Sequence, residues 1–161
     1  MNKTFRQGAI GALLDEYEKA ILELQEVLID ISDQELQKIV DTATTDESCK
    51  SIQTILSHVV RSGYGYAIYI QKPRNHGNQF PNKVFHSSIK NYQQDLIDFF
   101  LFTVGTLSNI QDKNLEEFDD NKKILTSWGQ IYDTEQILEH AIVHILRHRR
   151  QIEKFKIALR A

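Results

Sequence analysis

The chain has 161 residues, enough for one domain with a hydrophobic core and too few for two ordinary ones, and it reads as a single domain over 1–161. A composition of 41% hydrophobic and 25% charged residues, with only two prolines and seven glycines, excludes the disordered and collagen-like classes and favours helix. A formal charge of −3 excludes a global attraction to nucleic acid or anionic lipid, and one cysteine, Cys49, excludes an internal disulfide or a thiolate metal cage built by this chain alone.

The opening residues, MNKTFRQGAIGALLDEYEKA, have no long apolar core and soon turn acidic, unlike a secretory signal or membrane anchor. No window nears the roughly 18 uninterrupted apolar residues of a spanning helix, so a cytoplasmic location away from membranes is expected. From Gly8 to Ile29 the residues Ile10, Leu13, Leu14, Tyr17, Ile21, Leu24 and Leu28 recur at helical spacing and predict a first long amphipathic helix. Ser32 followed by Asp33, Gln34 and Glu35 has the form of a capping box and opens a short helix through Leu36, Ile39 and Val40.

A second long helix is predicted from near Ser48 to Gln71, carried by Ile52, Ile55, Leu56, Val59, Val60, Ala67 and Ile70 and stopped by Pro73. Cys49 falls at its expected start, where Asp46 and Glu47 oppose activation of the thiol. The following segment, KPRNHGNQFPNKVFH, is the longest loop and a candidate wall or lid, with His76 and His86 in or beside it. Helix resumes near Ser88 and runs through an aromatic-rich stretch to about Asn109. A connection with a short extended piece in ILTSWGQIY then leads to Asp133 or Thr134, which caps a last helix reaching about Leu159. Four long helices, one short extra helix and no strand-rich region predict an all-α four-helix bundle.

The last helix carries HAIVHILRHRRQI, with His140, His144 and His148 at successive i, i+4 steps. Each step rises about 6 Å and keeps neighbouring imidazoles on one face, the pair geometry of helical metal sites. All three cannot hold one ion, because eight residues rise about 12 Å and turn about 80° beyond two full turns. Measured against the stripe of Ile137, Ala141, Ile145 and Ile152, His144 and His148 face inward, while His140 sits at the edge as a supporting or surface residue. Two inward imidazoles fit either a metal pair or neutral side chains hydrogen-bonded in a core. A third ligand would come from a facing helix, and His58 is the candidate; it shares a side with Ser51, Ser62, Gly65 and Tyr69, which fits a pocket or a solvent-facing histidine equally. The C-terminal cations Arg147, Arg149, Arg150, Lys154, Lys156 and Arg160 read as a solvated face that complements the helix dipole.

Together, the histidine midway along the second long helix, the Trp128-Gly129 connection and the closing His144-x-x-x-His148-Arg149-Arg150-Gln151 resemble the DinB/YfiT-like superfamily of helical-bundle metal proteins. The likeness spans most of the chain. It implies a metal held by His58, His144 and His148, with Arg150 departing from the glycine common at that position of the closing motif. It further implies a divalent ion, zinc or nickel best suiting imidazoles, that activates a low-molecular-weight thiol or water toward an electrophilic small molecule. Thiol S-transferase or hydrolase chemistry and a homodimer would follow. No general base is evident: Tyr69, Gln151 and Glu139 read as structural or supporting, and Glu139 or Asp133 could orient a ligand imidazole. The competing expectation is a non-catalytic, dimerising helical module, and nucleic-acid binding is not expected.

Overall fold

The computed structural model describes residues 4–74 and 79–161. It is predominantly helical. The elements in chain order are α1 (Gly8–Leu28), α2 (Asp33–Gln37), α3 (Ile52–Gln71), α4 (Ile89–Leu107), the paired strands β1 (Ile124–Leu125) and β2 (Ile131–Tyr132), and α5 (Thr134–Arg160). Helix α1 packs against α4 and α5, and α3 packs against the same two helices from the other side. Among the described residues no helix is long and apolar enough to cross a membrane.

Local sequence explains the starts of α2, α3 and α5. Ser32 caps α2 and Glu35 reaches back to the Ser32 backbone, but Lys38 turns extended, so the helix stops before Ile39 and Val40. Helix α3 starts later than the apolar pattern predicts. Ser51, buried and bonded to the Thr54 amide, is its cap, while Glu47–Cys49 form a separate 3-10 turn capped by Asp46. Asp133 caps α5 by accepting from the Gln136 amide at 2.8 Å.

The core is one cluster fed by every long helix, including Tyr17, Leu24 and Leu28 of α1, Ile55, Leu56 and Val59 of α3, Tyr92, Leu96 and Phe99 of α4, and Ile137, Ala141, Ile145 and Ile152 of α5. Cross-element ties reinforce it. Asp112 accepts from the Ala9 and Ile10 amides at the start of α1, and Arg149, Lys156 and Arg160 of α5 pair with Glu23, Asp30 and Glu35.

The predicted extended piece is a two-residue antiparallel ladder, with Ile124 opposite Tyr132 and Leu125 opposite Ile131. Gly129 turns it at φ +85°, a left-handed conformation that favours glycine. The turn is fastened to the end of α3, where the Ser127 amide donates to the Tyr69 hydroxyl at 2.8 Å and the Leu125 amide to the Pro73 carbonyl at 3.0 Å.

Gly63 of α3 lies directly against Phe99 of α4. A Cβ there would lie 2.5 Å from the Phe99 ring, which is itself wholly buried. Gly63→Ala is therefore expected to destabilise the fold by about 1–3 kcal/mol through overpacking, read as a lower urea midpoint. An unchanged midpoint would mean that the two helices have room to part.

Candidate metal centre

Three imidazoles meet between α3 and α5. His58 lies half-buried on α3, and His144 and His148 are buried on α5 at 5% and 3% exposure. Their ring centroids stand 4.9 Å (His58 to His144), 5.1 Å (His58 to His148) and 4.4 Å (His144 to His148) apart. One nitrogen from each falls within 4.8 Å of the other two, so the group could hold a metal ion. The inward pair predicted from the helical wheel is the pair brought together, and His58 faces them and not bulk solvent.

The hydrogen bonding of the trio is incomplete. His58 Nε2 and His144 Nε2 lie 2.9 Å apart, so one carries a proton and the other accepts it. His148 Nδ1 lies 3.0 Å from the Gln151 amide oxygen, which can only accept, so Nδ1 bears the proton and Nε2 presents a lone pair. That Nε2 is buried with no hydrogen-bond partner, as is His144 Nδ1. Buried polar atoms are nearly always satisfied, and an unpaired one costs about 1–3 kcal/mol. A divalent ion fits this donor set: it would take the stranded lone pair of His148, and a tetrahedral site with bonds of about 2.0–2.1 Å needs ligand nitrogens about 3.3 Å apart, close to the spacing of the His58 and His144 pair.

Electrostatics keep the imidazoles neutral, the form that ligates. Burial pushes His144 down to about 2 and His58 to about 4, in both cases with a further contribution from His148. Burial also lowers His148, against the bond from Gln151, which raises it. The Arg147 guanidinium adds to the lowering at all three.

His140 stands outside the trio. Its ring stacks on Trp128 at 5.3 Å and on His144 at 6.3 Å. With Tyr66, Tyr69 and Phe80 these rings wall a cavity of about 260 Å³ that opens on His58 and His144. Ser62 and Gly65, the small residues beside His58, contribute to the same cavity and give it room. The loop after α3 thus supplies a wall through Phe80, which meets Tyr69 edge-on at 4.9 Å. His86 is tied to Asp95 at 2.7 Å and takes no part, and His76 lies outside the described residues.

Supporting roles differ from those expected for carboxylates. Asp133 is spent on the α5 cap and Glu139 is exposed, whereas the amide of Gln151 orients His148. The i, i+3 spacing of His148 and Gln151 is the signal for this contact, and it is visible without a structure. Tyr69 is structural, its hydroxyl accepting from Ser127. A second cavity, of about 530 Å³, lies on the other side of His58 and His148 and is lined by Asp46, Cys49, Arg147, Arg150, Gln151 and Lys154. Burial, followed by the Asp46 bond and charge, raises the Cys49 thiol, while Gln151 acts the other way, so the net effect opposes thiolate formation.

Compared with models of known protein families and with curated proteins, the chain matches none.

The lowered histidine values set a pH dependence. Unfolded imidazoles titrate near about 6.5, so below that pH the unfolded chain takes up protons that the folded trio refuses. Stability present above 6.5 is then lost as the pH falls toward about 4, the value for His58. For chelator-treated protein, Tm is expected to fall from about pH 7 to about pH 4, less steeply in His144→Asn. Equal slopes for the two proteins would show that the trio does not set the acid limb.

Proposed function

We propose that the protein is a divalent-metal-dependent enzyme built as a four-helix bundle of the DinB/YfiT-like type. In this reading His58, His144 and His148 are the ligands, with zinc or nickel as the ion. The observation that carries it is the buried, partnerless Nε2 of His148, held in lone-pair form by Gln151 and aimed into a trio of neutral imidazoles. Three neutral ligands leave the ion its full charge and an open position, which supplies Lewis-acid activation of a thiol or a water. The reaction class is thiol S-transfer or hydrolysis at an electrophilic small molecule, with a low-molecular-weight thiol as co-reactant in the first case.

The chain's own residues supply the rest of the site. Gln151 fixes the tautomer of His148, and the aromatic walls around Trp128, Tyr66 and Phe80 offer flat apolar surface to a substrate. A homodimer belongs to this reading, since α4 exposes Ile97, Leu101 and Phe102, apolar surface of the kind that pairing buries. So does the cytoplasm, where a free thiol such as Cys49 stays reduced.

Metal content of untagged protein purified without chelators tests the reading. About one ion per chain is expected in the wild type and in His140→Ala, with loss in His58→Ala, His144→Ala and His148→Ala. Gln151→Leu should weaken binding about 10- to 100-fold while leaving the ligands in place. Failure to retain any first-row divalent ion after reconstitution would overturn the metalloenzyme and leave a non-catalytic helical module with imidazoles merely hydrogen-bonded.

A further inference from the structure

The basic residues of α5 divide into two sets with different surroundings. Arg149, Lys156 and Arg160 pair with carboxylates of α1 and α2 or the turn between them, which fastens the helix to the fold. Arg147, Arg150 and Lys154 have no ion-pair or hydrogen-bond partner among the described residues, and all three line the cavity of about 530 Å³ beside His58 and His148. Spacings of three and four residues place their side chains along one face of the helix. All three are exposed, and what sets them apart is that they lie together on one stretch of α5 and border one cavity.

The cavity holds one carboxylate to set against them, and it is engaged elsewhere. Asp46 accepts from the Ser48 amide at 2.9 Å and from the Cys49 thiol at 3.4 Å, both within its own turn. The second wall of the cavity is thus tied down while the α5 side presents free donors. The partnerless Nε2 belongs to His148, which lines the same space. Cavity size lies within the range of about 300–1,000 Å³ that small-molecule sites occupy.

We infer that this cavity binds the acid group of a small-molecule ligand, a carboxylate or a phosphate, through Arg147, Arg150 and Lys154, with the remainder of the ligand directed at the histidine trio. Two guanidiniums and an ammonium match an oxyanion in charge and supply only donors, and guanidinium forks bind such groups with two parallel bonds. The oxyanion site stands on the cations alone; only the direction of the ligand toward the trio rests on the metal reading above. It narrows the substrate or co-reactant to molecules that carry an acid group some atoms away from the reacting atom.

The probes are succinate and inorganic phosphate, titrated into the chelator-treated full-length chain and followed by amide chemical shifts in NMR. Saturable binding of at least one probe is expected, with shifts concentrated at Cys49, Arg150 and Gln151. Which probe binds more tightly separates carboxylate from phosphate recognition. Arg150→Ala/Lys154→Ala and Arg147→Ala should each weaken binding at least about tenfold, whereas Lys113→Ala/Lys122→Ala, which removes the same charge elsewhere, should leave it unchanged. Arg150→Gln provides the same reading if the double variant fails to fold. Absence of saturable binding by either probe, or equal weakening in the Lys113/Lys122 control, overturns the inference. Oxyanion binding in a chain that takes up no metal would sink the metalloenzyme while leaving this site intact, and metal uptake without oxyanion binding would do the reverse.

Discussion

Burial of two α5 imidazoles against α3, each with a nitrogen left without a partner, is the constraint around which the molecule is arranged. Most cores avoid such atoms because each one forfeits its hydration without a replacement bond. Here the surroundings hold the conflict in place. Gln151 denies His148 the alternative tautomer, His58 meets His144 at 2.9 Å, and burial keeps the group neutral. A helical core with an apolar patch at this point would be simpler to stabilise. In the proposed metal reading, the ion would give the orphaned His148 Nε2 its partner.

The neighbourhood of the trio is asymmetric. One flank is aromatic and walled by Trp128, Tyr66, Tyr69 and Phe80, and the other is cationic and polar. Arg147 borders both, and its charge bears on all four histidines of the site and its edge. Helix α5 therefore has three tasks along one length: its apolar stripe fills the core, its paired cations tie it to α1 and α2, and the side between them presents His144, His148 and the unpaired cations.

Features governed by local periodicity were legible in the sequence, and those governed by packing were not. The i, i+4 steps and the apolar stripe of α5 identify His144 and His148 as inward and set His140 aside, because rotation per residue is a property of the helix alone. His58 is different. Its wheel position fits a pocket as well as solvent, and only the approach of α5 to α3 decides between them. The start of α3 was misplaced because Asp46 to Ser48 resemble a cap, while the buried Ser51 next to the first apolar residue is the cap in fact. Reading the α5 cations as one solvated face missed their division, since ion pairs to α1 and α2 depend on which helix lies alongside. A carboxylate was expected to orient an imidazole, whereas Gln151, read from the sequence only as structural or supporting, meets His148, a contact that the i, i+3 spacing makes available.

The fastening of α1 has a consequence for how the chain acquires its shape. Its first amides are closed by Asp112, and its far end is held by Lys156 through the Val27 carbonyl and Asp30. Both partners are encoded in the second half of the chain. As synthesis proceeds from the N-terminus, α1 emerges before the other helices; its first amides wait for Asp112, and its far end waits for α5. The histidine trio needs the same late helix, so its closure and the fastening of the far end of α1 both wait for α5.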